Sequence, residues 1–307
     1  MQLWTQDTPS GICGTGGAAL GALKGEGVQS WPDDIIIYIP AVEGHLELVG
    51  KVLEALCKAE LSINLAKCRW FGAQEFLSMV VDRLGLRPAP SKIEAVANFR
   101  PASTVEEPRA LLGMAGFLRK FVPHFSEIVV PLTDILRNPN FASKRARKHK
   151  IPWGPAQDEA LAKLIHCLTS PPILIFPSWV RAFNLHTDAS ELGAGAALTQ
   201  TPEGAERVVA YASHRWWRSD SKRSPTEREV MAVLWAVEHF RSYLWGRRFT
   251  PRTDCSALTW LFKSQTLTPK LYRWALRLME YDMDLKWKAG QNHLPDALSR
   301  LPRFETP

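Results

Sequence analysis

Cysteine is scarce and scattered. The five present, Cys13, Cys57, Cys68, Cys167 and Cys255, are odd in number, and no two stand at the short spacing of a zinc site. They form no disulfide framework and read as buried thiols of a reducing compartment. Long apolar runs are missing as well. Ile35–Ile39, the longest near the start, is far too short to span a bilayer, and the first residues lack the basic start and apolar stretch of a signal peptide. A disordered composition is excluded by 46% hydrophobic and 22% charged residues. These absences predict a soluble intracellular protein, cytoplasmic or nuclear, with no membrane partner. Oligomeric state is not encoded legibly.

What is there is length, positive charge and tryptophan. The 307 residues suffice for two domains, each with its own core. Lys and Arg exceed Asp and Glu to give a formal net charge of +7, which suits a polyanionic partner. The 12 tryptophans are mostly core, although some could stack on bases.

Residues 1–30, rich in Gly and small side chains, show no period and read as a flexible leader. The β-branched run Ile35–Ile39 belongs to a hairpin, and apolar spacing predicts a helix from His45 to about Ala59. Short strands are predicted at Leu61–Asn64, Arg69–Phe71 and Phe76–Val81. A capping box at Ser91–Glu94 opens a helix that Pro101 stops, and another runs from about Glu107 to Phe121. Residues 138–152 form a linker with the basic run Lys144–Lys150, which is a solvated hinge, a phosphate-contacting patch or a nuclear-import signal. Beyond Trp153 the pattern is helix (156–168), three strands (182–188, 194–199, 207–212), a long helix from Thr226 to about Trp245 and a strand (248–253). Two helices (257–262, 270–281), a strand (284–288) and a short helix (295–301) follow. That order makes an α/β domain with a mixed sheet.

Four acids stand at the ends of elements that can share one sheet edge. Asp188 ends a strand whose alternation puts Phe183 and Leu185 on the opposite face. Glu229 lies at the margin of a buried helical stripe, with Phe240, Val233, Leu244 and Val237 within about 80° of it and Glu227 and Glu238 about 160–180° away. A carboxylate there needs a cation or donors to offset its desolvation, unless Thr226–Glu229 is a capping box in which Glu229 folds back. Asp254 is an N-cap or a ligand, and Asp296 a helix-dipole acid or a ligand. Taken together they suit phosphodiester hydrolysis. Two Mg²⁺ ions about 4 Å apart activate a water and stabilise the attacking and leaving oxygens, and Mg²⁺ favours carboxylate oxygen.

Thr187-Asp188-Ala189-Ser190 with Gly193-Ala194-Gly195-Ala196, Ala210–Ser213, Thr226–Glu229, Phe240–Gly246, Thr253-Asp254, Gly290–Asn292 and Asp296–Arg300 resemble, in order, the ribonuclease H domain of gypsy-type LTR retrotransposons. The resemblance implies a ribonuclease H-like α/β fold with a mixed five-stranded sheet and flanking helices over residues 153–301, with a tail at 302–307. It implies Asp188, Glu229, Asp254 and Asp296 as catalytic, metal-binding acids for two Mg²⁺, Mn²⁺ being the alternative. The implied reaction is endonucleolytic cleavage of RNA in an RNA–DNA hybrid, leaving 3′-hydroxyl and 5′-phosphate ends with little sequence preference. Some such enzymes place a mobile histidine before the last acid; His293 stands there. His186 shares a strand face with Asp188 and reads as an ordinary strand histidine.

Asp33-Asp34-Ile35-Ile36, Asn64–Cys68 and Phe76–Ser78 resemble the reverse transcriptase palm of the same elements, which implies a partial α+β palm over 31–90. Lys92-Ile93, Phe99–Pro101 and Leu112–Phe121 resemble its helical thumb and connection, over 91–137. Trp31-Pro32 departs from the usual aromatic–aliphatic pair, and the fingers and first palm segment, which would supply a further metal-binding aspartate beside the remnant acids Asp33 and Asp34, have no counterpart in residues 1–30. No DNA synthesis is therefore expected from this chain alone. Other products of the same polyprotein are candidate partners. The alternatives are a non-catalytic nucleic-acid-binding module and a decayed retrotransposon fragment.

Overall fold

The computed structural model describes residues 2–4, 19–25, 27–31, 34–39, 42–70, 72–137, 141, 149–170, 173–253, 255–264 and 267–284. They fall into two compact units, Met1–Ala89 and Pro90–Pro307. Among the described residues no helix is long and apolar enough to cross a membrane.

The first unit holds two small antiparallel sheets. Strands β1 (Gln2–Trp4) and β2 (Val28–Trp31) flank β3 (Asp34–Ile37). Helix α1 (Val42–Lys58) follows, and its Leu48, Val49, Val52 and Leu56 pack with Val28, Ile35 and Ile37. The expected leader thus contains two strands. Val28–Trp31 forms a tight hairpin with the β-branched run, and Gln2–Trp4 pairs with the run's other edge over 30 or more positions, a pairing that local period does not reveal. The second sheet is β4 (Gln74–Phe76), β5 (Met79–Asp82) and β6 (Gly85–Pro88). The single strand predicted over Phe76–Val81 is therefore a hairpin, turned by Leu77 and Ser78 in the left-handed region at φ 50° and 59°. Around Leu61–Asn64 and Arg69 only single bridges at Ile63 and Arg69 interrupt turn and coil.

The second unit begins with α2 (Pro90–Ala97), α3 (Glu106–Phe117), α4 (Val130–Leu136) and α5 (Pro155–Thr169). Val96, Leu111, Ala115, Leu132, Leu161 and Leu164 are buried. Helix α2 starts at Pro90, one residue ahead of the Ser91 expected as its cap. Most of the basic run Lys144–Lys150 lies outside the described residues.

Strands β7 (Phe183–Ala189), β8 (Gly193–Gln200), β9 (Arg207–Arg215) and β10 (Phe249–Arg252) form the larger sheet, in the order β10-β7-β8-β9. β7–β8 and β8–β9 are antiparallel and β10–β7 parallel. One face packs on α6 (Pro225–His239), α7 (Cys255–Lys263) and α8 (Pro269–Met279): Phe183, Leu185, Leu198, Val230, Val233, Val237, Leu261 and Leu278 share one core. Four strands are described where five were predicted. The fifth is represented by a parallel bridge from Met283 to Phe249 at the β10 edge, and the rest of its predicted span, with the helix at 295–301, lies outside the described residues.

Candidate active site

Asp188 is the penultimate residue of β7. Phe183, Leu185 and Thr187 are buried toward the helices, so alternation turns Asp188, with Asn184 and His186, to the other face, and Asp188 is exposed. Its register partner on β8 is Gly195. The turn after it is fastened by Ser190, whose Oγ accepts from the amides of Leu192 and Gly193, each at 3.1 Å. Gly193 has no substitute here: a Cβ would stand 2.3 Å from the carbonyl oxygen of His214 on β9.

Glu229 sits in the second turn of α6, half-buried between Arg228 and Val230. The helix starts earlier than the sequence pattern suggested. Its N-cap is Ser224, whose Oγ accepts from the Glu227 amide, while the Glu227 carboxylate accepts from the Ser224 amide. The capping box is thus Ser224–Glu227, followed by Pro225 at the first helical position, and the Thr226–Glu229 box is overturned. The predicted continuation to Trp245 is also broken, because the helix ends at His239 and a separate turn covers Arg241–Leu244.

Both acids belong to the same end of the sheet. Ala189, next to Asp188, packs into a small cluster with Ala194, Trp216 and Ala232, and Ala232 lies one turn beyond Glu229. The Arg228 guanidinium, 4.0 Å from the Glu191 carboxylate in the β7–β8 turn, spans the same junction. β10 runs parallel to β7 and its last pair is Arg252 with His186, two residues short of Asp254 and Asp188 in their respective chains. Asp254, Asp296, His293 and Asp33 lie outside the described residues. Asp34 is described, in β3 of the first unit, paired with Trp31 and Trp4. Among the described residues no three His, Cys, Asp or Glu side chains form a metal-binding group. The two placed acids present oxygen donors alone, one exposed and one half-buried, and that donor chemistry fits a hard divalent cation such as Mg²⁺.

His186 does have a strand histidine's partner. Its Nε2 lies 2.7 Å from Glu206 Oε1, which also accepts from Thr199 Oγ1 at 2.6 Å and Asn184 Nδ2 at 3.1 Å. Burial works to raise the Glu206 carboxyl, yet the Thr199 and His186 hydrogen bonds, with the charges of His186 and Arg252, hold it below its usual value. Nothing in the sequence pointed to Glu206, which is 20 positions from His186.

A cationic rim adjoins the start of α6. Arg223, bound to Asp220, lies 5.6 Å over the Trp274 ring, and Lys270 lies 5.0 Å over the same ring. Lys222, Lys270 and Arg273 are exposed.

Residues 179–281 match the family described as an RNase H-like domain found in reverse transcriptase. The chain is 33% identical over 275 residues to the retrovirus-related Pol polyprotein from transposon opus of Drosophila melanogaster, covering 88% of this chain and 27% of that protein. It is 30% identical over 289 residues to the transposon Tf2-3 polyprotein of Schizosaccharomyces pombe, covering 92% of this chain and 21% of that protein. The chain therefore spans about a quarter or less of the length of these relatives. Its fold resembles part of the foamy viral protease-reverse transcriptase. The complex with dsDNA gives a TM-score of 0.73 at 20% identity, over 91% of this chain and 58% of that one. The complex with an RNA/DNA hybrid gives 0.70 at 21%, over 94% and 38%.

Proposed function

Because the chain belongs to the retrotransposon Pol polyproteins and carries their RNase H-like domain, we propose that it is a metal-dependent endonuclease that cuts the RNA strand of an RNA–DNA hybrid. What supports this reading is that Asp188 stands exposed at the end of β7 and Glu229 half-buried in the second turn of α6, whose cap is assigned to Ser224 and Glu227 and so leaves Glu229 out of it.

Asp188, Glu229, Asp254 and Asp296 would hold two Mg²⁺ ions, or Mn²⁺, which when bound supply an activated water and offset charge on the phosphate. Asp188, at an exposed strand end, meets the solvent side from which a phosphodiester approaches. Glu229 is anchored on a rigid helix, so its carboxylate needs little ordering when substrate arrives. Lys270 and Arg273, exposed on α8, would contact backbone phosphates, which would confer affinity without sequence preference. Selection of RNA would rest on 2′-hydroxyl contacts in the minor groove. For DNA synthesis the expectation stays negative for this chain tested alone, since Asp33 and Asp34 make only part of a two-metal polymerase centre.

The test is cleavage of an end-labelled hybrid in Mg²⁺ by wild type and Asp188→Asn. Loss of about a hundredfold or more in the variant, as for removal of a group acting only in the transition state, supports the hydrolase. Equal binding without cleavage in both would make the chain a binding module instead.

A further inference from the structure

The Asp188 face of the sheet is covered at one place by the connection that precedes the sheet. The one-turn helix Phe125–Ile128 lies against β8 and β9, as does the 3₁₀ turn Arg119–Phe121 against β9. Four contacts fasten it. The Ser126 amide donates to Ser213 Oγ at 2.8 Å. Arg215 grips Asp134 with two nitrogens, at 2.8 and 3.2 Å, and Thr133 Oγ1 at 3.0 Å. Ser190 Oγ donates to the Glu127 carboxylate at 2.5 Å while accepting the two turn amides. Finally, the His124 ring occupies the space over Gly195, where a Cβ would stand 2.7 Å from its Nδ1 and Cε1.

The last two contacts bracket Asp188. Ser190 is two residues after it in the chain, and Gly195 is its direct partner across the ladder. Cβ positions directly opposite on an antiparallel pair lie about 4.5–5.5 Å apart, so a ring filling the Gly195 Cβ position stands beside the base of the Asp188 side chain. His124 reaches that place because its own backbone is left-handed, φ 51°, a conformation that His tolerates better than most residues.

We infer that residues His124–Asp134 are a clamp on the β7–β8 hairpin, with Glu127 and His124 as positioning residues that fix the backbone carrying Asp188. This rests on the hydrolase reading of Asp188. Glu127 holds the hydroxyl that organises the turn, and His124 closes the gap left by Gly195, so the strand end has one conformation rather than several. Gly195, third in the Gly193-Ala194-Gly195-Ala196 segment, is the socket for this ring.

The experiment uses the full chain with Glu127→Ala, Glu127→Gln, His124→Ala and Gly195→Ala. It measures hybrid cleavage, hydrogen exchange of amides 189–195, and the rise in Tm on adding Mg²⁺. A misplacement of about 1 Å in a reacting group can cost as much as a hundredfold in rate, so kcat in Glu127→Ala and Gly195→Ala should fall about tenfold with KM nearly unchanged. Glu127→Gln, whose amide oxygen still accepts from Ser190, should retain the wild-type rate. Faster exchange confined to 189–195 and a smaller Mg²⁺-induced rise in Tm should accompany the loss. Wild-type kcat and exchange in Glu127→Ala, His124→Ala and Gly195→Ala would overturn the clamp, as would a uniform loss of protection throughout the second unit with kcat intact. If the wild-type chain itself fails to cleave, the hydrolase reading falls separately, and local release of 189–195 in Glu127→Ala still decides whether the hairpin is clamped.

Discussion

Individual side chains at the margin of the large sheet carry its titration. His214 on β9 stacks on Trp235 at 5.6 Å between ring centres, and His239 lies tilted against Trp235 at 5.4 Å. Burial depresses His214, against a smaller pull from Asp220, and burial with the charges of Arg119 and His214 depresses His239. The unfolded chain, with ordinary histidines near pH 6.5, then takes up protons before the folded one does. The stability these two residues carry is complete above that pH and is lost as pH falls toward the lowered folded values. Tm should therefore drop between pH 7.5 and 5.5, and His214→Phe should flatten the slope; a slope unchanged by His214→Phe would contradict this assignment. Single residues also mark the limit of sequence reading. The exposure of Asp188 and the half-buried place of Glu229 follow from strand alternation and the helical wheel. Glu206, Glu127 and His124 are invisible to both, since each acquires its partner only by tertiary contact.

Elements with strong periods were legible and their ends were not. Helix α6 was evident from Val230, Val233 and Val237, but its start shifted because Ser224-Pro225 offers a hydroxyl cap and a preset φ two residues before Thr226. Ser224→Ala should therefore destabilise the second unit by about 1 kcal/mol in urea unfolding. Thr226→Ala should change it by less than about 0.5 kcal/mol, as surface substitutions do. The reverse order would restore the Thr226–Glu229 cap and remove Glu229 from the site. The hairpin at Leu77-Ser78 went unseen for a related reason, as neither residue type announces a left-handed turn. Strands β1 and β2 escaped because three or four residues carry too little period to register.

At the scale of the molecule, the mixed sheet follows the predicted sequence of strands and helices. Less legible was the packing of the connection on the sheet, which joins residues some 60 to 90 positions apart, as in Ser190 with Glu127 and Ser126 with Ser213. The central claim is that four acids distant in the chain act as one metal-holding group. Residues acting as a unit are non-additive: removing one can cost about as much as removing all. The direct measurement is hybrid cleavage across Mg²⁺ concentration by Asp188→Asn, Glu229→Gln, Asp254→Asn, Asp296→Asn and the quadruple variant. Nearly equal, severe losses in all five are predicted, with no activity in any protein once the divalent ion is chelated. Wild-type cleavage by any single variant, or cleavage that persists without divalent metal, would contradict the account.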